Sequence, residues 1–181
     1  MRLAPAGFLA FALGCAPAWH PGTPGRLALV VPDGWTVTRN YRALGGDTVV
    51  LDHDRASISV SVRRDSGRGR QLPVDLVAGV RALSWGRGVG VENAVIAEHD
   101  IEFDGRRACA VTGIRRWRTA TIGYTMIYSR AADRSVELVL HAPMDELDGH
   151  AADWATFLGG FHLDVPSAVE GPLFEDDSWR R

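Results

Sequence analysis

Arg55-Ala56-Ser57-Ile58-Ser59-Val60-Ser61-Val62-Arg63-Arg64 alternates apolar and polar residues without a break. Side chains two apart on a strand share a face, so Ala56, Ile58, Val60 and Val62 line one side of a sheet and Ser57, Ser59 and Ser61 the other. The apolar side belongs to a core. Upstream, Thr48 to Leu51 reads as a further strand after Gly45-Gly46, and Leu27 to Val31, Pro32-Asp33-Gly34 and Trp35 to Tyr41 read as a strand, a turn and a strand. Those last three segments together predict a β-hairpin.

Downstream of the alternating stretch the period changes. Leu76, Val77, Val80 and Leu83 fall on one helical stripe between Pro73 and Leu83, with Pro73 suited to a first turn. Strand patterns resume from Asn93 to Phe103, Arg106 to Arg118, Ile122 to Ser129 and Ser135 to His141, with the hairpin dipeptide Asp104-Gly105 between the first two. A second helix is expected from Pro143. Asp145, Glu146 and Asp148 suit its positive end, Leu147, Ala151, Trp154, Ala155 and Leu158 form its stripe, and Gly159-Gly160 stops it. Phe161 to Val165 returns as a last short strand. The order of elements predicts an α+β fold, an antiparallel sheet flanked by helices.

The chain has 181 residues, enough for one domain with a core that needs no disulfide staples. Its net charge of -2 argues against a nucleic-acid partner, which requires a basic surface. Arg2 precedes an apolar run from Leu3 to Leu13, which Gly14-Cys15 ends. Such a run covers about 16 Å as a helix, well short of the roughly 30 Å of a bilayer core, and so reads as a signal peptide over residues 1–14. Ala12-Leu13-Gly14-Cys15 resembles the lipobox of bacterial lipoproteins, with the preferred order of the first two residues reversed. The resemblance implies acylation (palmitate or a similar chain) at Cys15, with the membrane as a partner through that lipid. Ala16-Pro17-Ala18 offers the competing cleavage site of a soluble secreted or periplasmic protein beginning at Trp19. Residues 15–26 then form a tether, 27–165 the folded domain and 166–181 a flexible tail.

Val31-Pro32-Asp33-Gly34-Trp35, the late strand through Tyr128, and Ala142-Pro143-Met144-Asp145-Glu146-Leu147 leading to Phe157-Leu158-Gly159-Gly160-Phe161 resemble the PsbP-like superfamily. That group includes small bacterial lipoproteins of the LpqN and DcrB type. The resemblance spans roughly Leu27 to Leu163. It implies an α/β/α sandwich used for binding or assembly, and it carries no catalytic residues.

Individual residues offer weaker signals. In Asp52-His53-Asp54 and Glu98-His99-Asp100 the carboxylates point away from the His of the same strand, so only if the two segments were neighbours would His53 and His99 share a metal. No metal and no cofactor is expected. Ser57, Ser59 and Ser61 lack the strained elbow of a nucleophile, and Gly86, Gly88 and Gly90 lack phosphate-cradle spacing. Cys109 sits in an apolar strand as a core thiol. Arg63, Arg64, Arg68 and Arg70, and Arg115, Arg116 and Arg118 around Trp117, are either solvated charges or contacts for lipid head groups or an acidic partner. Phe174 and Trp179, among the acids of the tail, are candidate anchors for a partner or rings that fold back. The function expected is that of a membrane-tethered, noncatalytic envelope lipoprotein that binds a protein partner or assists envelope assembly. A hydrolase or metal-dependent enzyme outside the cytoplasm and a carrier of a small apolar ligand are the alternatives.

Overall fold

A computed structural model describes residues 26–43, 46–65, 72–85, 88, 90–131 and 134–164. Seven of the described strands form one antiparallel sheet: β2 (Thr36–Ala43), β3 (Gly46–His53), β4 (Ala56–Arg64), β5 (Val91–Phe103), β6 (Arg106–Trp117), β7 (Ala120–Ala131) and β8 (Arg134–Pro143). Their spatial order is β2-β3-β4-β8-β7-β6-β5. Helix α1 (Val74–Ser84) lies on one face over β5, β6 and β7. On the other face sit α2 (Ala151–Gly159) and a two-stranded sheet of β1 (Arg26–Ala28) and β9 (His162–Asp164). The result is the α+β sandwich that the sequence predicts.

The alternation of β4 works as expected. Ala56, Ile58, Val60 and Val62 enter the larger core with Leu51, Leu138, Leu140, Trp154, Phe157 and Phe161. The three serines take the α1 side, where Ser59 pairs with Val139 of β8. Asp104-Gly105 forms the tight turn between β5 and β6, with φ of 52° and 69° at the two residues. That left-handed geometry suits Asp-Gly and twists with the strands.

Three expectations need correction. The stretch Leu27 to Val31 does not pair with Trp35 to Tyr41; β1 pairs with β9, with Leu27 opposite Leu163 and Ala28 opposite His162. Leu27, Leu29 and Val31 all pack on the core, so this apolar run is held by its inward face and by the returning end of the domain. The second helix starts later than Pro143, which still pairs with Ile122 in β8 and ends that strand. A turn and a short 3₁₀ segment (Leu147–His150) precede α2, whose buried residues are Trp154 and Phe157, while Ala151 and Ala155 face water. The third correction, to the stripe of α1, concerns the functional surface.

Candidate functional site

Helix α1 buries its small residues and exposes its large ones. Ala78 and Ala82 are buried, with Val74, Val77 and Trp85 partly so, against Cys109, Val111, Tyr124, Met126 and Tyr128. Leu76, Val80 and Leu83 are 51%, 58% and 44% exposed, and Leu72 just before the helix is 47% exposed. At 100° per residue, 76, 80 and 83 fall on the side opposite 78 and 82, so both stripes are regular. The sheet decides which one faces in. Two tyrosines and a methionine from β7 already fill the interlayer space, and only a helix face of alanines can approach so bulky a floor. The stripe expected in the core is therefore a solvent-facing apolar surface.

The C-terminal end of α1 carries an aromatic cluster. Asn93 donates from its side-chain amide to the carbonyls of Leu83 and Trp85, at 3.1 and 3.0 Å, and so satisfies orphan acceptors at the helix end. Trp85 packs on Tyr124 and His141 with ring centroids 5.2 and 5.1 Å away, and the Arg115 guanidinium lies 5.3 Å from its ring. Burial lowers the pKa of His141; the charge of Asp52 opposes that effect and Arg115 adds to it. His141 is neutral at pH 7, and its buried Nδ1 has no hydrogen-bond partner among the described residues.

Asp52, Ser57 and His141 are successive cross-strand partners on β3, β4 and β8. Burial alone would raise the Asp52 carboxyl, yet hydrogen bonds from Thr38 and Ser57, the Arg39 charge and His141, which is protonated in the acid range where Asp52 titrates, hold it below the ordinary range. The Ser57 hydroxyl therefore donates its hydrogen bond to Asp52. A serine nucleophile needs the imidazole between hydroxyl and carboxylate, and here the serine occupies the middle. Beside His141, at the end of β7 and β8, an open cleft of about 730 Å³ is lined by Ile122, Pro143, Met144, Thr121 and Arg55, among others. Its lining is part apolar and part polar, and it lies open to solvent.

The other residues singled out in the sequence are dispersed. Arg115 and Trp117 share one face of β6 while exposed Arg116 takes the other, and Arg118, at φ 54°, places its guanidinium 5.0 Å from the Trp117 ring. These four do not make one basic patch. His53 and His99 lie on β3 and β5, separated by four strands, and do not meet. Cys109 is buried, and burial together with Glu98, Asp100 and Asp75 pushes its thiol pKa up, the opposite of a reactive cysteine. Gly88 and Gly90 belong to the connection into β5, where the Val91 amide donates to the Gly88 carbonyl at 3.2 Å. Cys15, Phe174, Trp179, Arg68, Arg70 and Gly86 lie outside the described residues. Sequence reasoning missed Trp85 and His141, whose only signal was an aromatic ring at each end of two strongly patterned elements.

The solution structure of cyanobacterial PsbP from Synechocystis sp. PCC 6803 is similar to this chain with a TM-score of 0.59, covering 89% of this chain and 98% of that one at 16% identity. The fold is that of PsbP. At that identity the likeness speaks for the architecture alone. Weaker likenesses, with TM-scores of 0.49 and 0.46, connect the chain to LpqN, described as involved in cell envelope biogenesis of Mycobacterium tuberculosis, and to a Pseudomonas aeruginosa protein of unknown function. LpqN is 14% identical, with 83% of this chain and 90% of that chain covered; the Pseudomonas protein is 16% identical, with 64% and 80% covered. No protein-family model matches the chain, and no curated protein matches it. Among the described residues no helix is long and apolar enough to cross a membrane.

Proposed function

We propose that the chain is a noncatalytic binding domain of the cell envelope, tethered to a membrane through an acylated Cys15, that docks a protein partner on the outer face of α1. One observation carries this reading: Leu76, Val80 and Leu83 stand exposed on a single stripe while the helix beneath packs through alanine. A contiguous apolar surface exposed to water costs solubility and marks a protein-binding or membrane-binding face. Around that stripe only Asp75 and Arg81 of the helix are charged, and Arg81 is drawn toward Glu137 at 3.9 Å. The partner of matching chemistry presents an apolar helix or groove with few charges. The envelope address rests on the Cys15 pattern.

The test is capture from detergent-solubilised envelopes by the wild-type chain and by a Leu76→Glu/Val80→Glu variant. Because both side chains face water, the variant keeps its melting temperature within a few degrees and loses the partner. Flotation with lipid vesicles of both proteins lacking acyl chains separates a membrane-binding face from a protein-binding one. The cleft beside His141 supports a second reading, a carrier of a small apolar ligand, tested by mass spectrometry of the native protein for a bound molecule.

A further inference from the structure

We propose that His53 and His150, completed by Asp54, form a site for a divalent transition-metal ion of the zinc class where the β3–β4 turn meets the segment entering α2. The two imidazoles come from residues far apart in sequence and stand with ring centroids 6.0 Å apart and planes at 82°. Metal–nitrogen bonds of about 2.0–2.1 Å put the centroids of two imidazoles on one tetrahedral ion about 5.2 Å apart, so the rings need to close by less than about 1 Å.

The His53 proton is already placed for ligation. His53 Nδ1 lies 2.9 Å from the Gly34 carbonyl oxygen, which can only accept, so Nδ1 holds the proton and Nε2 keeps its lone pair. His150 Nδ1 faces the Asp153 carboxylate at 3.6 Å, and the same Asp153 oxygen accepts from Trp35 Nε1 at 3.0 Å. The carbonyl bonded behind the His53 ring is the outer-shell arrangement that orients a metal-bound histidine through its far nitrogen, and the Asp153 carboxylate stands behind the His150 ring without yet bonding it. Trp35 stacks on His53 and meets His150 edge-on, each at 5.6 Å, and walls one side of the pair.

Asp54 supplies the third ligand. Its carboxylate is 3.6 Å from His53 Nε2, too long for a hydrogen bond. Two donor atoms on one tetrahedral zinc are about 3.3–3.5 Å apart, close to that separation. The Asp54 side chain is 84% exposed and His53 34%, so the carboxylate turns freely and an ion enters from solvent. Among the described residues no three of His, Cys, Asp and Glu already close around a metal position. The site is thus one oriented nitrogen, on His53, with the His150 ring beside it, which a swing of Asp54 completes, with water in the remaining position.

Calorimetric titration of the untagged full chain with Zn²⁺ at pH 7.5 tests this. One ion binds per chain and raises the melting temperature; His53→Ala and His150→Ala each weaken binding about tenfold or more, while His99→Ala and His162→Ala leave it unchanged. Asp54→Asn keeps the turn, since Asn tolerates the φ of 50° at this position, and weakens binding without changing the melting temperature of the metal-free protein. No saturable Zn²⁺ binding by the wild type, or full binding by both His53→Ala and Asp54→Asn, overturns the proposal.

Discussion

Asp104 accepts a hydrogen bond from the backbone N–H of Leu163 at 3.1 Å, so the turn between β5 and β6 holds the last strand of the domain. His162 Nδ1 lies 2.7 Å from the other Asp104 oxygen. Arg106 pairs with the same carboxylate and donates to the Leu163 carbonyl at 2.8 Å. A two-residue turn thereby becomes the anchor of the β1–β9 sheet and of the core beneath it.

Asp104→Asn therefore destabilises the domain at pH 7, by about 2–4 kcal/mol, because it removes the charge of the Asp104–Arg106 pair, whose side chains are about nine-tenths buried. The pH dependence has a definite sign. Burial raises the Asp104 carboxyl, but the hydrogen bonds from His162, Leu163 and Arg106 and the Arg106 charge outweigh it, so the folded pKa lies below 3.8. The stabilisation is complete above the unfolded pKa and is lost as pH falls through the folded one. Urea denaturation at pH 7 and at successively lower pH below 4 checks this: the gap between wild type and Asp104→Asn narrows only in the acid range.

His141 predicts a second and separate pH window. Its folded pKa is lowered by burial against Trp85 and Tyr124, so the unfolded chain takes up a proton first. Stability falls as pH drops below about 6.5, the unfolded value, and continues to fall through the folded pKa. His141→Phe keeps an aromatic ring beneath Trp85 and removes the titration. Melting temperatures from pH 7.5 to 5 decline less for the variant than for the wild type.

The β-sheet was legible in the sequence because its strands alternate, and Asp104-Gly105 fixed one hairpin locally. The pairing of β1 was not, since the run Leu27 to Val31 reads the same whether its neighbour is the next strand or the last one. Helix α1 was legible as an element and misread in orientation. Both Leu76-Val80-Leu83 and Ala78-Ala82 are regular stripes, and the bulk of Tyr124, Met126 and Tyr128 on another strand determines which one is buried. His53 was visible as a candidate ligand, but its neighbour His150 comes from the far end of the chain, and no local spacing announces a contact that only the closed sandwich makes.

On the proposed tether, Cys15→Ser shifts the protein from the membrane to the soluble fraction, because several acyl chains at about 0.8 kcal/mol per buried methylene would be what holds it there. Fractionation followed by intact-mass measurement checks the outcome: an acylated mass beginning at Cys15 for the wild type, and none for the variant. An unmodified N-terminus at Trp19 contradicts the tether.

The proposed binding role of α1 is tested most directly by a photoreactive amino acid placed at Val80, the most exposed position of the stripe, in cells expressing the full chain. The account predicts one discrete crosslinked product containing a second, different protein at this position, and none when the same group replaces Arg116, an exposed residue near the end of β6 on the sheet face opposite α1. Equal yields at both positions, a product made only of two copies of this chain, or no protein product at Val80 would contradict it.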